Sequence, residues 1–161
     1  MHKVYLSLGG NIGDKAGNFS KAHKLVSKTL GSITKISSVY ESPAWGFHSD
    51  DKFWNQVVLI ETGHSPESLL ENIHQIEDIY GRKRGNETYS SREMDIDILY
   101  YNSLILKTGS LIIPHPLIQQ RKFVLVPLVE IAPDFVHPVL NLSNFELLDN
   151  CLDESLIKKV K

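Results

Sequence analysis

Cysteine is nearly missing from this chain: Cys151 is the only one among 161 residues. No internal disulfide can form, and the composition fits a reducing, cytoplasmic setting. Positive charge is not in excess either. Lys and Arg number 17 against 19 Asp and Glu, a formal charge of −2, which argues against a chain built to coat nucleic acid. No stretch approaches the ~20 apolar residues of a membrane span. The apolar stretch near the N-terminus, Val4 to Leu8, is too short for a signal peptide. Neither nucleic acid nor a membrane is therefore an expected partner. Tandem repeats, low-complexity tracts and the pattern His-Glu-x-x-His are also absent. What is present is 42 % apolar and 22 % charged residues, the make-up of a globular protein. The length fits one domain spanning residues 1–161.

Hydrophobic periodicity divides the chain. Val4, Leu6 and Leu8 alternate with Tyr5 and Ser7, the pattern of a half-buried strand. Phe19, Ala22, Leu25, Val26 and Leu30 then recur at helical spacing before Gly31. A second strand is predicted over 33–41 and a third, strongly apolar, over 55–62. Ser65 followed by Pro66 opens a helix with its buried stripe on Leu69, Leu70, Ile73, Ile76 and Tyr80, and Gly81 stops it. A fourth strand is predicted over 94–101, followed by a hairpin through 104–106 and 111–113. A helix is expected to begin at Pro127, because proline suits a first turn and not a helix interior. Ser143 and Glu146 have capping-box spacing and open a last short helix. The order β-α-β-β-α-β predicts an α+β, ferredoxin-like fold: a largely antiparallel sheet with helices packed on it in three α/β/α layers.

Chemistry concentrates in the fourth strand. Asp95 and Asp97 are two residues apart, so in a strand they share a face, about 7 Å from each other, while Ile96 and Ile98 face the opposite side. Two carboxylates so placed repel unless a cation lies between them. They are either a solvated strand face or a site for a hard cation, and oxygen donors without Cys or a His cluster favour Mg²⁺ over Zn²⁺. A basic loop with Arg82, Lys83, Arg84 and Arg92 precedes them. It is either a solubilising surface or a cradle for phosphate, which arginine binds through two parallel hydrogen bonds. Gly9-Gly10-Asn11-Ile12-Gly13-Asp14-Lys15 is glycine-rich but lacks the spacing of a P-loop, so it reads as a turn able to move over a site. Phe53, Trp54 and Phe123 are either core or the walls of a slot for a flat heterocycle, and Asn55 offers a donor and an acceptor to a ring edge.

Together, in this order and with these gaps, several short motifs resemble the 6-hydroxymethyl-7,8-dihydropterin pyrophosphokinases of folate biosynthesis. They are Leu8-Gly9-Gly10-Asn11-Ile12-Gly13-Asp14, Tyr40-Glu41-Ser42-Pro43 with Asn55 downstream, Glu77-Asp78-Ile79-Tyr80-Gly81-Arg82, Arg92-Glu93-Met94-Asp95-Ile96-Asp97-Ile98-Leu99, Pro114-His115, Arg121-Lys122-Phe123 and Pro127-Leu128 with Glu130-Ile131-Ala132-Pro133. The resemblance runs from about Val4 to Pro138. It implies that the hydroxymethyl oxygen of the pterin attacks the β-phosphorus of ATP and that AMP leaves. Asp95 and Asp97 are then expected to ligate two Mg²⁺ ions, with Asp95 near the attacking hydroxyl. Arg82 and Arg92 are expected to hold the transferred groups. Arg84, His115 and Arg121 are expected at the nucleotide phosphates, Ile98 on the adenine or ribose side, and Glu77 nearby. The pterin is expected to stack between Phe53 and Phe123, its polar edge read by Asn55 and the backbone of Ser42, Pro43, Ala44 and Trp45. A monomer is expected. The chain departs from the family pattern at Gly10, where serine is common, at Thr88-Tyr89-Ser90-Ser91, where Gly-Pro usually precedes the arginine, and at Pro116, where an aromatic is common. On the residues alone, another two-metal nucleotidyl- or phosphotransferase on the same fold remains the alternative.

Overall fold

The computed structural model describes residues 1–81 and 91–160. Its principal sheet is built on β1 (His2–Gly10), whose two neighbours are β4 (Phe53–Thr62) and β5 (Asp95–Tyr101), both antiparallel to it. β2 (Ser32–Ile36) and β3 (Tyr40–Ser42) pair separately with β4. The spatial order is β5-β1-β4-β3, with β2 also on β4. Its four-strand heart, β5-β1-β4 with the β2/β3 strand, is the arrangement expected of the β-α-β-β-α-β order.

The single strand predicted over 33–41 is thus two strands. Ser37 separates them: its hydroxyl accepts from the Val57 amide at 2.9 Å, and its own amide donates to the Val57 carbonyl at 2.9 Å. The run stays beside β4 but leaves the regular ladder. β8 (Lys158–Lys159) extends the sheet beyond β3, in a tail where the sequence shows no periodicity. A separate two-stranded sheet joins β6 (Leu106–Lys107) to β7 (Ile112–Ile113).

Helices cover both faces. On one side lie α1 (Lys15–Thr29) and α2 (Pro66–Ile79). Asp14 caps the first, accepting from the Gly17 amide at 3.1 Å, and Ser65 caps the second, accepting from the Ser68 amide at 3.2 Å. Gly81, at φ 75°, ends the second helix in the left-handed region that glycine enters without steric cost. Phe19, Ala22, Val26, Leu69, Ile73 and Ile76 pack against Val4, Leu6, Leu8, Val58, Ile60, Ile96 and Ile98. Burying each large aliphatic side chain contributes about 1.5–3 kcal/mol.

On the other side lie α3 (Lys122–Ile131) and α4 (Asn144–Asp149). Val124, Leu125, Leu128 and Leu147 cover Tyr5, Val57, Leu59, Leu99 and Tyr100. The helix expected to start at Pro127 starts five residues earlier, and Pro127 sits inside it, buried. The proline forgoes one helical hydrogen bond, to the Phe123 carbonyl, and apolar burial holds the helix together around it. In α4 the capping box is complete: Glu146 donates its amide to the Ser143 hydroxyl at 3.1 Å, and Ser143 donates its amide to the Glu146 carboxylate at 3.0 Å.

Candidate functional site

The second face of the sheet is covered only in part. Along β1 it presents Tyr5, then Ser7 and Gly9. Along β4 it presents Leu59 and Val57, then Asn55 and Phe53. Along β5 it presents Tyr100, then Asp97 and Asp95. The apolar half of each strand lies under α3 and α4. The other half forms the floor of a cavity of about 190 Å³. Register places Ser7 opposite Asp97, and Gly9 between Asp95 and Asn55. With two small residues at the centre of the floor, the carboxylates and the amide border open space.

One end of this cavity is charged. The Arg92 guanidinium reaches Asp95 at 3.3 Å, part-buried and therefore less screened than a surface pair. Asp97 and Arg121 complete that end. His115 stands beside them, its backbone amide donating to the Leu99 carbonyl at 3.0 Å. Its Nδ1 accepts from the Leu117 amide at 3.1 Å, which assigns the proton of the neutral ring to Nε2. Burial, and then the nearby Arg121 charge, lower its pKa from 6.5 to about 4, against an opposing pull from Asp95. It is a neutral hydrogen-bond donor across physiological pH.

The other end is aromatic. Phe47 meets Phe53 edge-on with ring centres 5.9 Å apart, and Trp45 meets Phe123 edge-on at 6.3 Å. The Arg121 guanidinium lies 4.7 Å from the centre of the Trp45 ring and 5.7 Å from that of Phe123, cation–π contacts that tie the two ends together. The Asn55 side chain donates to the Ser42 hydroxyl at 2.8 Å, and both residues are buried. That bond fixes the amide plane against the floor.

The structure therefore brings Ser42, Pro43, Trp45, Phe53, Asn55 and Phe123 to one end of a single cavity, and Arg92, Asp95, Asp97, His115 and Arg121 to the other. Ala44 does not border it. Two other expected residues lie on the far face of the sheet. Ile98 is buried on the opposite face, because strand alternation that turns Asp97 inward turns Ile98 to the α1/α2 core. Glu77 is also buried on that side, where its carboxylate accepts from the Ile96 amide at 2.9 Å and holds β5 in place behind the acid pair. Arg82 and Arg84, and most of the basic loop, lie outside the described residues. Ser7, Gly9 and Phe47 were missed. The first two had a signal, since they end the apolar content of their face of β1; Phe47 lies in a loop without periodicity and had none. Trp54 belongs to the core side, tilted against Phe19 at 6.1 Å.

Among the described residues no three His, Cys, Asp or Glu side chains gather as a metal-binding group. Asp95 and Asp97 offer only hard oxygen donors from two side chains. That set suits Mg²⁺, which is usually held by one or two carboxylates plus phosphate oxygens and water, and does not suit a cation enclosed by protein alone. No helix among the described residues is long and apolar enough to cross a membrane.

Comparison with known proteins places this architecture. The family model described as 7,8-dihydro-6-hydroxymethylpterin-pyrophosphokinase matches residues 5–133. The 2-amino-4-hydroxy-6-hydroxymethyldihydropteridine pyrophosphokinase of Aquifex aeolicus is 42 % identical over 139 residues, covering 86 % of each chain. That of Bacillus subtilis is 40 % identical over 130 residues, 80 % of this chain and 77 % of the relative. The folic acid synthesis protein FOL1 of Dictyostelium discoideum is 44 % identical over 87 % of this chain, which spans only 21 % of that longer protein. Among solved structures, a Plasmodium falciparum HPPK-DHPS chain superposes with a TM-score of 0.75 at 18 % identity, over 92 % of this chain and 45 % of that one. This last likeness shows the fold, and the chain spans less than half of the solved chain. With the family model over residues 5–133 and a relative 42 % identical over 86 % of both chains, the chain belongs to the 7,8-dihydro-6-hydroxymethylpterin-pyrophosphokinase family.

Proposed function

We propose that the protein transfers the pyrophosphoryl group of ATP to the hydroxymethyl oxygen of 6-hydroxymethyl-7,8-dihydropterin, a step of folate synthesis. The new bond joins that oxygen to the β-phosphorus. The bond from the β-phosphorus to the oxygen of the α-phosphate breaks, AMP leaves with the electron pair, and the hydroxyl proton is released. The observation that carries this reading is the joining of an aromatic slot to a carboxylate–arginine cluster within one cavity.

The aromatic end has the shape and chemistry for a pterin. Phe53 and Phe123 supply ring faces to a flat bicycle, and Asn55, fixed by Ser42, meets its donor-and-acceptor edge. The charged end suits a triphosphate. Arg92 and Arg121 bring positive charge, and neutral His115 adds an N–H donor without competing for a proton. Asp95 and Asp97 would hold two Mg²⁺ ions, which neutralise phosphate charge when bound. The residues themselves hold the two substrates in line and surround the reacting atoms with preoriented dipoles in place of mobile water. A monomeric working unit is part of this reading, and the single thiol Cys151 suits the cytoplasm.

Incubation with ATP, Mg²⁺ and the reduced pterin alcohol, followed by chromatography of the nucleotides, tests the reading. AMP formed in equal amount to pterin diphosphate is the expected result. ADP, or free pyrophosphate without pterin diphosphate, would overturn it in favour of another phosphoryl or nucleotidyl transfer.

A further inference from the structure

Asn11 follows directly on β1 and is 2 % exposed. Its backbone amide donates to the Arg92 carbonyl at 2.9 Å, and its side-chain Oδ1 accepts from the Arg92 amide at 2.9 Å. One residue thus grips the backbone of Arg92 on both sides, three residues before β5 begins. Its Nδ2 donates to the Ser91 hydroxyl at 3.0 Å and lies 3.4 Å from the Asp51 carbonyl. The same amide therefore joins two segments that feed opposite ends of the cavity. Asp51 stands two residues before Phe53 of the aromatic wall, and Arg92 carries the guanidinium that meets Asp95.

Gly10 makes this approach possible. A Cβ at that position would stand 2.2 Å from the Glu93 carbonyl oxygen, so any larger residue in this backbone would push the 92–93 segment away. A buried carboxamide with both ends bonded is not easily replaced. An apolar residue leaves the Arg92 amide and the Ser91 hydroxyl without these partners.

We propose that Asn11 is a positioning residue for the reaction: its carboxamide sets the Arg92 guanidinium and the Asp95 carboxylate against the phosphates and ties that arm to the acceptor wall. Asn11 touches neither substrate and acts through Arg92. The inference rests on the proposed pyrophosphoryl transfer.

The test is a kinetic double-mutant cycle on the full chain with ATP, Mg²⁺ and the pterin alcohol: wild type, Asn11→Ala, Arg92→Ala and both together, each with its thermal unfolding curve. Asn11→Ala should lower kcat by about tenfold or more, a change of about 1.4 kcal/mol. The KM for ATP should move by less than roughly threefold, since the lost term belongs to the transition state. In the Arg92→Ala background the same substitution should cost less than roughly threefold in kcat, because coupled residues are not additive. A wild-type kcat in folded Asn11→Ala, or an undiminished loss in the Arg92→Ala background, would overturn the proposal and leave Asn11 a structural residue. If Asn11→Ala does not fold, Asn11→Asp decides. It keeps the acceptor for the Arg92 amide and loses the amide donors, so a several-fold fall in kcat supports the proposal and an unchanged kcat sinks it. Wild-type formation of AMP separates the two ideas. Its absence defeats the proposed function and this inference with it; its presence beside an unaffected Asn11 variant defeats the inference alone.

Discussion

On the face covered by α1 and α2, β1 presents Val4, Leu6 and Leu8, β4 presents Val58 and Ile60, and β5 presents Ile96 and Ile98. On the other face the same strands run from Tyr5, Leu59 and Tyr100 to Gly9, Phe53 and Asp95. The alternation slips once, on β5, where a register shift puts both Leu99 and Tyr100 on the second face. What differs is that one face is apolar along β1 and β5, with the buried Gln56 of β4 bonded to His23 of α1 at 2.6 Å, while the other changes halfway to small, polar and charged side chains. The first is sealed by two helices and contributes stability. The second is sealed only as far as its apolar residues reach, and the remainder is a site. A strand that keeps its period but changes its chemistry marks where the core stops and the function begins.

The sharpest way to break this contrast is at neighbouring residues of β5. Asp97→Ala removes a carboxylate from the open face. Turnover should fall by about 10³-fold or more, as expected when a group that holds catalytic Mg²⁺ is lost, with little change in the unfolding midpoint. Near-normal turnover at limiting Mg²⁺ would show that Asp97 does not hold the ion. Ile98→Ala, one residue further, acts on the sealed face. It should cost about 2–5 kcal/mol of stability, the range for emptying a packed aliphatic site. A denaturation curve that scarcely moves would mean that the two faces are not divided as described.

Smaller effects sharpen the picture within the cavity. Phe123→Ala should weaken pterin binding by about tenfold, roughly 1.4 kcal/mol, through the loss of one stacking surface. Calorimetry that shows unaltered affinity would place the pterin elsewhere. His115 supplies a pH signature. Its folded pKa is about 4 against an ordinary 6.5, so as pH falls the unfolded chain takes up the proton first. Its contribution is therefore intact above about 6.5 and declines from there towards about 4. His115→Gln takes up no proton and should lose less stability than wild type between neutral pH and pH ~5. Equal losses in thermal melts would show that the folded protein protonates this ring as readily as the unfolded chain does.

Most of this fold was legible in the sequence where local rules act alone. β1 and β5 follow from alternation, α2 from Ser65-Pro66 at one end and Gly81 at the other, and α4 from its capping box. The misplaced parts are those fixed by distant partners. Ser37 divides β2 from β3 through hydrogen bonds to Val57. Pro127 is carried inside α3 because its neighbours are buried. Lys158 and Lys159 become a strand only by pairing with β3. The site was legible for the same reason as the strands: Asp95 and Asp97 share a face by spacing alone. That rule also assigns the Ile98 side chain to the opposite face. Phe47 reaches the cavity through the path of an irregular loop, and no period in the sequence records such a path. Asn11 was visible as a turn residue, but its bonds to Ser91 and Arg92 cross about 80 positions of chain.

The two tryptophans stand on opposite sides of the sheet. Trp45 is in the cavity wall with a guanidinium 4.7 Å from its ring centre, whereas Trp54 lies against Phe19 with the Lys15 ammonium 5.6 Å away. Indole emission responds to charge and water near the ring. The chain thus carries its own optical gauge, in which one emitter changes when ligands enter and the other serves as an internal reference. Trp45→Phe would silence the responsive signal and leave the constant one.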